Sequence, residues 1–262
     1  MGYKNFIAKT LGLGPRSVAA TPGESQVRAS ERLSEAARKD VTRILDGRFV
    51  GMYELCRRTS ERYKLHDPKG PAFPSPEETA ASFSDEEIVL AGAYQKPALI
   101  LCPPQRKREE LFSVLNSGNR QSPVLNYTVI SEPEYPEWDL DDEYRSFIVE
   151  GACRISPYDD SLSHSLVRRY LHKERTREAG ETGMTGEIYA LLGMQSVIRR
   201  KSMDQHMFTI LDGMPIVENR YVPVAHFRLG HATMEWLPAD IDQGGAGRFR
   251  RVIGGRFVNP EL

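Results

Sequence analysis

The chain has 262 residues, of which 40% are hydrophobic and 27% charged, and its formal net charge is −1. This composition is typical of a folded soluble protein of one or two domains, and it excludes fibrous and wholly disordered chains. The balanced charge argues against binding nucleic acid over the whole surface, and no apolar run approaches the roughly 20 residues of a membrane span.

The first residues and the cysteines predict a cytoplasmic location. Residues 1–14 lack the apolar centre and cleavage site of a signal peptide, and Phe6 stands where a myristoylation motif needs Ser or Thr. The three cysteines are far apart and odd in number, which favours reduced thiols over a disulfide framework or a zinc cluster.

Residues 1–65 predict a helical N-terminal arm. Apolar residues recur at helical spacing from Leu33 to Leu45, after a capping-box pattern that starts at Thr21. The next helix has an apolar side and an otherwise basic surface, which fits a solvated face, with docking of an acidic partner as the alternative. Its cations are Arg57, Arg58, Arg62 and Lys64.

Residues 66–84 carry four prolines among small polar residues and predict a linker or exposed loop, so we expect a domain boundary here. The core domain, residues 85–262, is expected to have an α+β or α/β fold, a mixed sheet covered by helices. Runs of strand length predict strands at 88–90, 98–102, 124–130 and 147–149. Residues typical of helix N-termini predict helices that start at Pro103-Pro104, Ser156-Pro157 and Thr185.

Residues 132–143 hold seven carboxylates without the glycine-punctuated spacing of a calcium-binding loop. They predict a solvated acidic loop, with a surface for a cation or a basic partner as the alternative.

Residues 206–236 contain the clearest strand–turn–strand pattern, with apolar runs at 207–211 and 221–227 and turn residues at Asp212-Gly213 and Gly230. We expect these strands to form the middle or edge of the sheet. Three histidines of this stretch and one of its carboxylates form a set that would suit zinc or iron: His206, His226, His231 and Glu235.

The sequence leaves two arrangements of these histidines open. If the chain turns at residues 228–230, His226 and His231 flank the turn and could be cross-strand neighbours. On one continuous strand their odd spacing would point them to opposite faces. We therefore expect structural or surface histidines and no cofactor, and we keep a divalent metal or acid–base site as the alternative.

Residues 244–258 predict an Arg-rich β-hairpin, because Gly254-Gly255 suits a two-residue turn. Aromatic residues interleave its cations, which would give a surface for a protein partner or a nucleic-acid backbone, or simply a protected sheet edge. The cations are Arg248, Arg250, Arg251 and Arg256.

Several short motifs between residues 98 and 236 share an order with one known family. They are ALILCPP, YRSFIVEG followed by ISPYDD, MTGEIYALLG, HMFTIL, a Val222-Pro223 strand and a segment containing Trp236. In this order the chain resembles an uncharacterised bacterial family, domain of unknown function 5701. Asp212-Gly213 replaces a Ser-Arg pair of the family pattern, and the Arg-rich stretch replaces its Ser/Cys-containing end. The resemblance implies a fold and no activity.

Functional motifs are mostly missing from the sequence, which contains no P-loop, no dinucleotide fingerprint, no nucleophile elbow and no zincin motif. The first hypothesis is therefore a non-catalytic interaction or assembly protein, in which the acidic segment 132–143 and the basic segment 248–256 pair between copies or dock onto another protein. The alternatives are a small metal-dependent enzyme using the histidines and Glu235, and a nucleic-acid accessory protein.

Overall fold

The structure is a computed structural model. It describes residues 47–104, 106, 108–117, 142–151, 165–178, 180–201, 203–204, 207–216, 221–228, 231–238 and 247–257. Residues 1–46 of the predicted arm, the predicted strand at 124–130 and most of the acidic segment lie outside these residues.

Two sheets organise the described chain, and together with the helices they confirm the predicted α+β fold. Sheet 1 is antiparallel, in the order β1 (Ala98–Cys102), β2 (Arg145–Val149), β7 (Val252–Phe257). Sheet 2 has the order β5 (His231–Pro238), β4 (Tyr221–Arg228), β3 (Phe208–Ile210), β6 (Gly247–Arg248). Its strands are antiparallel except for the parallel pair β3–β6. The single mixed sheet that we expected is thus two sheets.

One helix lies between the sheets and explains why there are two. This helix, α6 (Gly186–Ile198), is apolar on nearly every side, and such helices are buried. Tyr189, Ile188 and Met194 pack in the same cluster as Phe147 of sheet 1 and Met234 of sheet 2. Each large side chain buried in this way contributes about 1.5–3 kcal/mol to stability. As predicted, Thr185 caps the helix.

The remaining helices complete the layers. Helix α4 (Arg108–Ser117) follows Pro103-Pro104, as predicted, and joins the central core through Leu111, Phe112 and Leu115. Helix α5 (Leu166–Thr176) covers the outer face of sheet 2 with Leu166 and Tyr170. The predicted start of this helix at Ser156-Pro157 lies outside the described residues, and α5 begins at Leu166. None of the helices within the described ranges is long and apolar enough to cross a membrane.

The outer face of sheet 1 is covered by the segment predicted to be an arm and a linker. Helix α1 (residues 47–63) and Phe83 pack against Leu99 and Ile148. Helix α2 (Pro76–Ala81) lies inside the proline-rich stretch, and the Tyr53 hydroxyl donates to the Pro74 carbonyl at 2.8 Å. Residues 41–262 form one compact unit, and the stretch 66–84, where a domain boundary is predicted, lies within it.

The predicted strand at 88–90 is wrong, since these residues lie in helix α3 (Asp85–Gly92). A short apolar run does not distinguish a strand from a buried helical turn. The deciding signal is the capping box, in which the Ser84 side chain and the Glu87 side chain each accept from the other's backbone N–H.

The predicted C-terminal β-hairpin is wrong, because β6 and β7 belong to different sheets. Gly254 lies inside β7 opposite Phe147, with φ +97°, where the register between β2 and β7 shifts. A Cβ at this position would lie 2.5 Å from the Ser146 carbonyl oxygen. The glycine therefore permits a bulge and a close strand approach, not a turn.

Candidate functional site

The β4–β5 hairpin brings two of the predicted site residues together. Nε2 of His226 lies 2.9 Å from Oε1 of Glu235, and both side chains are partly exposed. His226 pairs with Thr233 in register, whereas Arg228 pairs with His231. Directly paired positions share a sheet face, so position 231 is on the same face as position 226 and diagonal to it.

A histidine–carboxylate pair of this kind can hold a proton or contribute two ligands to a metal. Within the described residues no group of three His, Cys, Asp or Glu side chains is placed to bind a metal ion. His206 and the side chain of His231 lie outside those residues.

Two of the arginines predicted to bind a partner, Arg250 and Arg251, bind groups of the protein itself. Arg250 is only 2% exposed, and its guanidinium donates to Asp204 at 2.8 Å and to the Gly151 carbonyl at 2.6 Å. Asp204 also accepts from Thr209 at 2.6 Å and from Tyr189 at 3.2 Å. Arg250 therefore joins the end of sheet 1 to sheet 2 through a buried network of satisfied polar groups.

Arg251 is also engaged within the protein. It donates to Glu181 and Glu178, and its guanidinium lies 4.8 Å from the centre of the Tyr94 ring. Arg248 is partly buried and donates to the Gly247 carbonyl, and the side chain of Arg256 lies outside the described residues. The basic face that would have bound a partner or nucleic acid is thus not formed by Arg250 and Arg251, because carboxylates far away in sequence bind them.

A different surface, the outer face of α1 together with Lys64, carries exposed cations. We call this surface the basic face. Its five cations are Arg48, Arg57, Arg58, Arg62 and Lys64, and all are exposed. It holds two carboxylates, and Arg57 pairs with both, with Glu54 at 2.9 Å and with Glu61. Among the described residues, Arg58, Arg62 and Lys64 have no ion pair.

The inner side of the same helix borders a pocket at the edge of β1, which we call the β1-edge pocket. Its wall is formed by Cys56, Thr59, Ser60, Leu65, Phe73, Leu101, Pro103, Tyr144, Leu191 and Gln195. The Leu99 carbonyl accepts from the Cys56 thiol at 2.9 Å and from Gln195 Nε2 at 2.7 Å. These two side chains satisfy a strand edge that would otherwise have an unpaired buried group.

Three polar side chains around this pocket, Cys56, Tyr144 and Thr59, are neutral and hydrogen-bonded. Burial raises the pKa of the Cys56 thiol to about 12, so the thiol stays protonated and is a poor nucleophile. Burial likewise raises the pKa of Tyr144 to about 12, and this hydroxyl lies 3.0 Å from Nδ1 of His66. The Thr59 hydroxyl donates to the Leu55 carbonyl at 2.6 Å.

The sequence interpretation missed this pocket. One signal was available, since Gln195 is a polar residue near the end of an otherwise apolar helical run, GEIYALLGMQSVI. A buried polar residue normally has a hydrogen-bonding role. Nothing in the local sequence connects it with Cys56, which lies 139 residues away in the chain.

In comparisons with known proteins, no family model, no curated protein and no solved structure matches this chain. The resemblance to domain of unknown function 5701 stays a prediction.

Proposed function

We propose that this chain is a non-catalytic interaction protein that self-associates, with the basic face of one copy binding the acidic segment 132–143 of another. The observation that supports the proposal is the exposed charge of Arg58, Arg62 and Lys64, which form no ion pair with any residue that the structure describes. Complementary charge accelerates association and selects the partner.

The local arrangement concentrates this charge. Arg57 engages both carboxylates of the face, so neither is left to neutralise the other cations. Arg58 and Arg62 are four residues apart on one helix, where like charges cost a few tenths of a kcal/mol. A bound carboxylate would relieve that repulsion.

The acidic segment offers the complementary charge. Residues 132–143 contain seven carboxylates and no lysine or arginine. The C-terminal arginines were the predicted partners of this segment, but Arg250 and Arg251 already bind Asp204, Glu178 and Glu181. The basic face takes their place in the proposal.

Sedimentation velocity of the full chain tests this function. We expect self-association at about 50 mM salt that weakens at about 500 mM, because added ions screen exposed charges. The double variant Arg58→Glu/Arg62→Glu is expected to be monomeric at both concentrations. A synthetic peptide of residues 131–144 should bind the wild-type chain and not the variant.

The matched control reverses two exposed cations of α5, in the variant Arg168→Glu/Arg175→Glu. It should associate like the wild type. A wild-type chain that is monomeric at low salt and does not bind the peptide would contradict the proposal, as would equal effects of the two double variants.

A divalent-metal site on the β4–β5 hairpin is the second candidate, favoured by the 2.9 Å contact between His226 and Glu235. It would support a small metal-dependent enzyme, with His231 as a further ligand from the same sheet face. Titration calorimetry with Zn²⁺ tests it. Binding at one equivalent that His226→Ala and Glu235→Ala abolish, and His172→Ala leaves unchanged, is the expected result. Absence of binding by the wild type would dismiss the site.

A further inference from the structure

We infer that the site on α1 recognises an aromatic residue as well as acidic charge, and that Trp138 of a second copy binds beside the basic face. It binds to the first turn of α1, on a surface that we call the α1 shelf: Gly47, Val50 and Gly51. This inference rests on the proposed function, because it adds an apolar part to the basic face and names what else the partner must carry.

The α1 shelf is an apolar surface that the protein leaves open. Val50 is 60% exposed, and in the part of the chain that the structure describes it is the only exposed large hydrophobic side chain. A Cβ added at Gly47 or at Gly51 would have no neighbour within 4 Å among the described residues. A single exposed valine is ordinary on a protein surface, but the two open glycines beside this one leave room for a flat aromatic ring.

The α1 shelf is continuous with the basic face. Gly51, Arg58 and Arg62 follow one another at offsets of seven and four residues, which keep them on one side of an α-helix. Arg58 therefore lies about 11 Å from Gly51 along the helix axis, and Arg62 about 17 Å. Glu54 stands between them, but it is paired with Arg57 at 2.9 Å. One side of α1 thus presents an apolar end and a cationic end.

The acidic segment has the matching sequence. Trp138 stands among its carboxylates, and Asp141 follows three residues later. Pro133 and Pro136 favour an extended peptide, in which each residue spans about 3.3 Å. The carboxylate of Asp141 then lies about 10 Å from the indole, which is close to the distance from the α1 shelf to Arg58. A second copy can therefore place its indole on the shelf and its carboxylates on the arginines at once.

The two kinds of contact have different roles. Ion pairs on an exposed surface are screened by salt and contribute little affinity, although they orient the partner. Tryptophan is among the residues most enriched at the energetic centres of interfaces, because its indole buries a large apolar area. Trp138 is thus expected to supply much of the affinity, and the arginines select the acidic sequence around it.

Two peptides of equal charge test the inference. One is residues 131–144 in the natural sequence and the other carries Trp138→Ala, each with a fluorescent label whose anisotropy reports binding to the full chain at about 50 mM salt. We expect the alanine peptide to bind at least about fivefold more weakly, with the same dependence on salt because its carboxylates are unchanged. The chain's own acidic segment competes equally with both peptides, so the ratio of their affinities is unaffected.

The variant Val50→Ala locates the indole. Val50 is exposed in a helix, where alanine is the most favourable residue, so this chain should fold. It lacks two methyl groups of the α1 shelf, and the affinity ratio of the two peptides should fall below about twofold. The control variant Arg168→Glu/Arg175→Glu, which leaves α1 intact, should keep the full ratio.

Three outcomes would overturn the inference, and they separate it from the proposed function. Equal binding of the two peptides to the wild-type chain would mean that charge alone suffices, and the proposed function would stand. A ratio that Val50→Ala leaves unchanged would mean that Trp138 binds elsewhere than on the α1 shelf. If neither peptide binds the wild-type chain, the proposed function and the inference both fail.

Discussion

The side-chain amide of Asn116 binds both backbone groups of Ala232, donating to the carbonyl at 3.0 Å and accepting from the N–H at 2.9 Å. Ala232 lies in β5, which is the edge of sheet 2 among the described strands. The amide thus makes the pair of hydrogen bonds that a neighbouring strand would make.

Asn116→Ala should therefore destabilise the protein by about 1–3 kcal/mol, because it leaves a donor and an acceptor of the strand unpaired. Urea denaturation gives the free energy, and hydrogen exchange of the Ala232 amide locates the change. Ser117→Ala is the control, since Ser117 is exposed and its hydroxyl donates only within the helix, to Val114. Unchanged protection of the Ala232 amide in Asn116→Ala would refute this role.

Gly254→Ala is expected to destabilise the protein by at least about 3 kcal/mol, or to prevent folding, because an added Cβ meets backbone and the positive φ is strained. Its Cβ would lie 2.5 Å from the Ser146 oxygen and 2.8 Å from the Phe83 ring. Gly51→Ala is the opposite case. No neighbour among the residues that the structure describes lies within 4 Å of its added Cβ, and it sits in a helix, so this change should stabilise by about 1 kcal/mol. If thermal denaturation showed that Gly254→Ala and Gly51→Ala shift Tm in the same direction, the role given to Gly254 in β7 would be disproved.

Glu181→Gln should cost about 3 kcal/mol at neutral pH, because it leaves Arg251 and Lys173 without their buried counter-charge. Burial raises the pKa of Glu181, but hydrogen bonds and charges from Arg251 and Lys173 outweigh it and hold this pKa below its usual 4.5. A carboxyl with a lowered pKa stabilises the fold above its unfolded pKa, and this contribution is lost as the pH falls through the folded value.

The free-energy difference between Glu181→Gln and the wild type should accordingly shrink as the pH falls below about 4. Glu178→Gln is the matched control, because Glu178 binds the same Arg251 but its side chain is 54% exposed. It should cost less than about 1 kcal/mol. A difference that stays constant from pH 7 to about pH 3, measured by urea denaturation, would contradict the linkage.

Arg200→Gly should stabilise the protein by about 1 kcal/mol, since a left-handed conformation costs an L-residue that much and glycine almost nothing. Arg200 has φ +53° and ends α6, where its N–H donates to Val197 and the N–H of Lys201 donates to Ser196, both at 3.0 Å. This is the Schellman arrangement, in which glycine is the usual residue. Arg199→Gly, one residue earlier and in right-handed conformation, should instead destabilise, and a calorimetric Tm ranks the two.

The sequence predicted those elements whose signals are local. Strands β1 and β2 follow from apolar runs, and the start of α6 follows from Thr185, whose hydroxyl caps it. The partners of the strands could not be predicted, because β2 pairs with β7 about a hundred residues away and an apolar strand fits many neighbours.

The candidate sites also divide into those that a local sequence signal predicts and those that depend on residues far away in the chain. The approach of His226 to Glu235 follows from a hairpin whose turn the sequence indicates. By contrast, the alternating sequence around Arg250 is compatible with exposure to solvent and with burial. Its burial is decided by Asp204, which lies 46 positions away. Cys56 and Gln195, from distant parts of the chain, meet at the edge of β1, where both donate to the Leu99 carbonyl.

Residues 247–257 supply the last strand of each sheet, with Arg250 between them. During synthesis on the ribosome, one sheet therefore cannot be completed well before the other. Both sheet 1 and sheet 2 take their final strand from the same eleven residues. Until then the apolar flanks of β2 and β3 lack a neighbour that they have in the native fold, and such open edges are what chaperones bind and proteases cleave. A premature stop before residue 247 would leave both sheets short of a strand at once, and we expect the cell to degrade that product rather than accumulate a half-folded domain.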